Sequence, residues 1–220
     1  MKIQLKDQVI TARKWKGKDK RNFMKEMQKQ KPNEDKITKA LVYDCIEEDV
    51  ILSTDEFKYV LSMIRAESLG NEIKYNFYCT ECDSTHERTY NITDIIRASY
   101  SDDSVISVGD ININLGEIKN KEFYIEKIKE GKIYDFLLRI NDINGDKTLD
   151  LDDLINFLDE LDIDILDEIL KKYDDIRFKV DDVNEFVCDC GHREKYHFDE
   201  LPEFFPSEWF NDDSLVSSFR

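Results

Sequence analysis

Two short cysteine pairs constrain this chain more than anything else in it. They are Cys79-Thr80-Glu81-Cys82 and Cys188-Asp189-Cys190, far apart in sequence, each at the tip of an alternating, strand-like segment. Similar residues follow each pair: His86, Tyr90, Asn91 and Asp94-Ile95 after the first, His192, Tyr196, His197 and Asp199-Glu200-Leu201 after the second. Four thiolates on two hairpin tips are how a chain builds a closed tetrahedral zinc site. Such a site admits only folds in which the two tips meet, and a metal closed by four protein ligands is structural. The chain is therefore expected to be non-enzymatic.

Cys79 and Cys82 have the CxxC spacing of a knuckle, whereas Cys188 and Cys190 have one residue between them, which strains the usual turn. The expected zinc ligands are Cys79, Cys82, Cys188 and Cys190, with His192 able to replace one of the second pair. The competing reading is two unrelated thiol pairs. A redox role for the first pair is disfavoured, because reactive CxxC pairs sit at helix N-termini and here a strand follows. Cys45 lies among apolar neighbours in a helical stretch and reads as a small core residue. His86 reads as solvent-facing.

Hydrophobic residues make up 40% of the 220 positions, enough for a sizeable core, while 37% are charged and the formal net charge is -17. That field repels a phosphate backbone unless basic residues are segregated. One segregated stretch exists. Residues 13–31 carry nine Lys and Arg against Asp19 and Glu26. It reads either as the solvated face of a helix or as a docking surface for an acidic partner. No apolar run approaches the roughly 20 residues of a membrane span, and no signal-peptide core follows Met1. Paired CxxC and CxC thiols fit a reducing cytoplasm better than a secreted disulfide framework.

Periodicity predicts mixed helices and antiparallel hairpins without a βαβ repeat, an α+β fold. Residues 2–12 read as a strand or short hairpin. Helices are expected over 19–30, 35–46, 54–69, 93–99, 117–129, 132–141, 151–160 and 164–173. The clearest is 54–69, with a Ser53/Glu56 capping box, an apolar stripe of Phe57, Val60, Leu61 and Ile64, and a stop at Gly70. Hairpins are expected at 72–79 with 86–92, at 105–115 around Gly109-Asp110, and at 175–187 with 192–198. The amphipathic helices would pack with these hairpins, two of which carry zinc-ribbon-like cysteine knuckles. The whole, 1–220, reads as one domain. Its parts are strand and helices in 1–70, two hairpins in 71–115, helices in 116–174, the second knuckle in 175–201 and an aromatic tail in 202–220. Phe204, Phe205, Trp209, Phe210 and Phe219 in that tail are candidate partner contacts or ordinary packing.

A second constellation is Asp142, Asn144, Asp146, Thr148, Asp150 and Asp153, at positions 1, 3, 5, 7, 9 and 12 of a calcium loop. Lys147 stands where such a loop needs glycine, and position 12 is Asp rather than Glu. The favoured reading is a polar turn whose carboxylates cap the next helix, with calcium as the rival. Catalytic motifs are lacking: no glycine-rich phosphate loop, no GxSxG, no HExxH.

Several stretches in order bear a resemblance to a known group. They are ARKWKGKDKRNFM, then ILSTDEFKYVLSMIRAESLGNEIKYNFYCTECDSTHERTYNI, then SVISVGDININL. The paired helices IYDFLLRINDI and DLDDLINFLDELDIDILDEILKKY follow, and last EFVCDCGHREKYHFDELPEFF. The chain resembles the T4-like phage baseplate proteins over most of residues 5–206. The resemblance implies a non-enzymatic role in assembling the hub of a contractile tail, through contacts with hub or wedge subunits, in the cytoplasm of an infected bacterium. The rival class is a zinc-ribbon nucleic-acid-binding or regulatory module. Acids around both knuckles, among them Glu81, Asp83, Glu87, Asp189 and Glu194, oppose it.

Overall fold

The structure is a computed structural model. It describes residues 1–116, 132–181, 183–197, 205 and 209. The helix expected over 117–129, and Phe204, Phe210 and Phe219, lie outside the described residues. The architecture is α+β, built from small antiparallel sheets and helices.

The chain opens with a hairpin, β1 (Lys2–Gln4) and β2 (Val9–Thr11), whose facing Ile3 and Ile10 are both buried. Helix α1 (Gly17–Met27) follows. Asp19 in its first turn accepts the Lys16 amide at 2.7 Å and the Arg13 guanidinium at 2.6 Å. Helix α2 (Glu34–Tyr43) starts at an Asn33 cap on the Lys36 amide. It ends before the expected 46, because Ile46 leaves the helix to bridge Ala12 beside β2. Helix α3 (Thr54–Leu69) has the predicted bounds and the predicted Ser53/Glu56 capping box. Val60 and Ile64 of its stripe are fully buried, and Gly70 stops it at φ 97°.

The first knuckled hairpin pairs β3 (Glu72–Cys79) with β4 (Ser84–Asn91). The helix expected over 93–99 is one turn, α4 (Ile92–Ile95). Residues Arg97–Ser99 form β5 instead, which pairs with β9 (Lys179–Asp181). That pairing also shortens the second knuckled hairpin, which is β10 (Val183–Val187) with β11 (Arg193–His197).

A three-stranded sheet joins β6 (Val105–Val108), β7 (Ile111–Leu115) and β8 (Ile140–Ile143). Helix α5 (Lys132–Arg139) stops two residues short of the expected 141. Ile140 turns into β8 and pairs with Leu115. Helices α6 (Leu151–Asp159) and α7 (Ile163–Ile176) cover this sheet.

Two large apolar cores result. One gathers β1, β2 and α1–α3 around Leu5, Ile10, Val42 and Ile64. The other packs Ile106, Ile113, Phe136, Ile169 and Tyr173 between the three-stranded sheet and its helices. A buried ionic knot joins them. Arg139, at the end of α5, donates to Glu56 in α3 at 3.0 Å and to Asp7 at 3.2 Å. Burial disfavours its charge, but Glu56, Asp135 and Asp7 hold the guanidinium protonated.

Candidate metal centre

Strand alternation sets which side chains of the knuckles face inward. Along β3, Ile73, Phe77 and Cys79 are buried while Lys74, Asn76 and Tyr78 are exposed. On the second knuckle Phe186 and Cys188 are buried while Glu185, Val187 and Asp189 are exposed. Each hairpin thus offers an aromatic ring and a sulfur two residues apart on one face. These faces meet: Phe77, Cys79, Phe186 and Cys188 form one buried cluster with Tyr90 packed against it.

The two remaining sulfurs come from the turns. Asp83, next after Cys82, has φ 53°, and Gly191, next after Cys190, has φ 92°. Both tips therefore bend in the left-handed region just past their second cysteine, and the chain meets that demand once with Asp and once with Gly. The one-residue spacing of the second pair is accommodated by a tight turn in which the Gly191 amide donates to Cys188 O at 2.8 Å. The Cys188 amide donates to His192 O at 2.8 Å.

Cys79 Sγ lies 3.7 Å from Cys190 Sγ, and Cys82 Sγ lies 3.5 Å from Cys188 Sγ. All four sulfurs fall within 4.8 Å of one another. Metal–sulfur bonds of about 2.3 Å place the corners of a tetrahedron about 3.8 Å apart, close to these two separations. None of the five cysteines is in a disulfide. These four residues could hold a metal ion.

The sulfurs are electrostatically unequal. Hydrogen bonding by Ser84, then by Cys188, brings the Cys82 thiol down to about 6. The Cys190 amide favours the Cys188 thiolate, but burial and hydrogen bonds with the other three thiols outweigh it and push Cys188 up to about 12. A bound cation would take the place of thiol protons here, because metal ligands must be deprotonated.

Sequence reasoning missed the role of His86. It does not face solvent. Its side chain is 14% exposed, and Nε2 lies 3.2 Å from Cys188 Sγ. Its place opposite Phe77 in the β3–β4 register, on the buried side of the pleat, was the available signal. Cys45 is buried as expected, and burial pushes its thiol up to about 11.

The acidic segment is used differently from a calcium loop. Asn144 (φ 52°) and Gly145 (φ 84°) form a two-residue turn closed by hydrogen bonds between Ile143 and Asp146. The sharp bend therefore falls at Asn144-Gly145, not at Lys147. Asp142 accepts from Asn114 and from the Gly145 amide, Asp146 from Thr148, and Asp153 and Asp150 cap α6 reciprocally. Of the tail aromatics, Trp209 is buried, and Phe205 and Trp209 stack around Trp15 and Phe23 of the N-terminal core. Among the described residues no helix is long and apolar enough to cross a membrane.

No curated protein sequence and no solved structure matches the chain. A family profile does match, that of the T4 bacteriophage base plate protein, and it covers residues 1–206 of 220. Those residues include both knuckles and, Trp209 apart, both cores, and on that match the chain belongs to the T4 bacteriophage base plate protein family.

Proposed function

We propose that the chain is a non-enzymatic assembly protein of the tail baseplate hub, acting through protein–protein contacts on hub or wedge subunits. The observation that carries this reading is the family match over nearly the whole chain. The thiol quartet supports a structural role. Four soft sulfur donors at tetrahedral spacing suit zinc and leave no open coordination position for substrate. Zinc held there would tie residues around 79 to residues around 188 and so fix the platform that partners meet.

Two surfaces suit such contacts. One is the exposed basic side of α1, where Lys18, Arg21 and Lys25 stand in solvent on a chain of net charge -17. It would attract an acidic protein surface over roughly a Debye length of 8 Å. The other is proposed from the sequence alone, through the tail aromatics Phe204 and Phe210. Assembly would take place in the host cytoplasm.

The test is cross-linking mass spectrometry on infected cells carrying a tagged copy. Cross-links to baseplate hub or wedge proteins are expected, and they should weaken in a Lys18→Glu/Arg21→Glu/Lys25→Glu variant. Cross-links confined to host proteins or to the tail tube would end the hub reading. Tight, salt-sensitive DNA binding on a filter would favour a nucleic-acid module instead.

A further inference from the structure

A four-thiolate zinc centre carries two net negative charges, and its sulfurs need donors to spread them. Water can reach two of the four. Cys82 and Cys190 are exposed, while Cys79 and Cys188 are buried at 0% and 3% exposure. The Cys188 sulfur is therefore cut off from solvent. The surroundings add negative charge, since Asp189, Asp83 and Glu81 all flank the tips.

From outside the quartet, His86 reaches that sulfur. His86 Nε2 lies 3.2 Å from Cys188 Sγ, within range of an N–H···S hydrogen bond. A thiolate only accepts, so the imidazole must present its Nε2 proton there. The ring packs against Phe186. Its centroid is 5.5 Å from that of Phe186, and Nδ1 lies 4.0 Å from an Asp189 carboxylate oxygen. His86 also sits directly across the β3–β4 ladder from Phe77, whose ring stacks on Phe186. Four sulfurs would fill the coordination of a tetrahedral ion, which would leave His86 outside it as a hydrogen-bond partner to Cys188 and not as a fifth ligand.

We propose that His86 is the positioning residue of the metal centre. By donating Nε2–H to Cys188 it disperses the charge of the one ligand pair that water serves least, and so sets how tightly the ion is held. This rests on the zinc reading above. Outer partners of metal ligands elsewhere change affinity by about 10–100-fold when removed.

The experiment uses the full chain. Zinc affinity is measured by competition with a chromophoric chelator for the wild type, His86→Phe and His86→Gln, and each is also loaded with cobalt(II) to record the sulfur-to-metal charge-transfer band. Phe keeps a ring against Phe186 but has no donor, and Gln keeps an N–H donor. The expected result is a loss of about 10–100-fold in zinc affinity for His86→Phe, with a shifted charge-transfer band and a smaller loss for His86→Gln. Equal affinity and an unchanged band in His86→Phe would overturn the role of His86 while leaving zinc in place. A large loss of affinity in both variants with bands like the wild type would reduce His86 to packing alone. Failure of the wild type to bind zinc or cobalt would overturn the metal reading itself, and this inference with it.

Discussion

The rings of Phe77 and Phe186 lie face to face, 4.5 Å between centroids and 4° from parallel. Each ring precedes a buried cysteine by two residues, so the stack sets the separation of the two hairpins just beneath the sulfurs. Stacked rings add about 0.5–1.5 kcal/mol beyond their burial. Phe186→Ala is expected to cost about 3–5 kcal/mol of stability. It should also loosen the thiol quartet, because the Phe186 ring is half of the stack between the hairpins. Urea denaturation, with and without added zinc, checks both effects. A loss below 1 kcal/mol would show that the hairpins are held by the tips alone.

Metal removal should act on the same joint. Binding energy at a structural site is also folding energy. Chelation is expected to lower the melting temperature and to open Cys79, Cys82, Cys188 and Cys190 to alkylation. Cys45 should stay protected, since it is 1% exposed and burial pushes its thiol up to about 11. Mass spectrometry after iodoacetamide treatment reads this directly. Labelling of all five cysteines at one rate would mean the chain unfolds globally without metal.

The Arg139 knot predicts a large and asymmetric cost. Glu56 is 2% exposed and serves twice: it accepts the Ser53 amide in the α3 capping box and the Arg139 guanidinium. Arg139→Met leaves Glu56, Asp135 and Asp7 without their shared cation. Removing one partner of a buried pair typically costs about 3–5 kcal/mol. The double variant Arg139→Met/Glu56→Gln should recover part of that loss, because it removes the stranded charge. Thermal denaturation of the single and double variants decides it, and an additive loss would show the two residues are not coupled.

Local rules carried the reading of α3, the three predicted hairpin turns and the cysteine pair at each of two tips, because each rests on spacing within a few residues. Ser53 and Glu56 cap α3 whatever lies beyond it, and Phe77 and Cys79 share a face because strands alternate. What failed depended on distant partners. Residues 97–99 look helical in isolation, but the backbone of 179–181 offers Arg97–Ser99 a strand to pair with. Ile140 fits a helical stripe until Leu115 claims it for β8. The Arg139 knot draws on Asp7, Glu56 and Asp135 from three separate elements, and no window of sequence contains it. The inward side of the pleat that His86 shares with Phe77 follows from the hairpin register, whereas the sulfur it meets comes from another hairpin more than a hundred residues on.

Asn144-Gly145, within the stretch read as a polar turn with calcium as the rival, is a strong two-residue hairpin signal. With Asp142 already accepting from Asn114 and the Gly145 amide, calorimetry with calcium is expected to show no binding heat. A heat present in the wild type and lost in Asp142→Ala would restore the calcium reading. Gly145→Val should be destabilising, since φ 84° puts a β-branched residue in a region it rarely adopts, at a cost of about 1–3 kcal/mol.

Acid should remove a further contribution at the end of α7. Hydrogen bonding from Arg177, strengthened by Lys179, holds the Asp174 carboxyl down at about 2, below the roughly 3.9 of an unfolded chain. The folded state therefore binds fewer protons between those values. The stabilisation is fully present above about pH 5 and is lost as pH falls from about 4 through about 2. Asp174 is 42% exposed, so the effect is that of a surface pair, about 0.2–1 kcal/mol. Wild type and Asp174→Asn, both with chelator so that metal release cancels, should differ in stability at pH 6 and converge by pH 2. A gap that stays constant across that range would assign the stabilisation to packing rather than to the charge of Asp174.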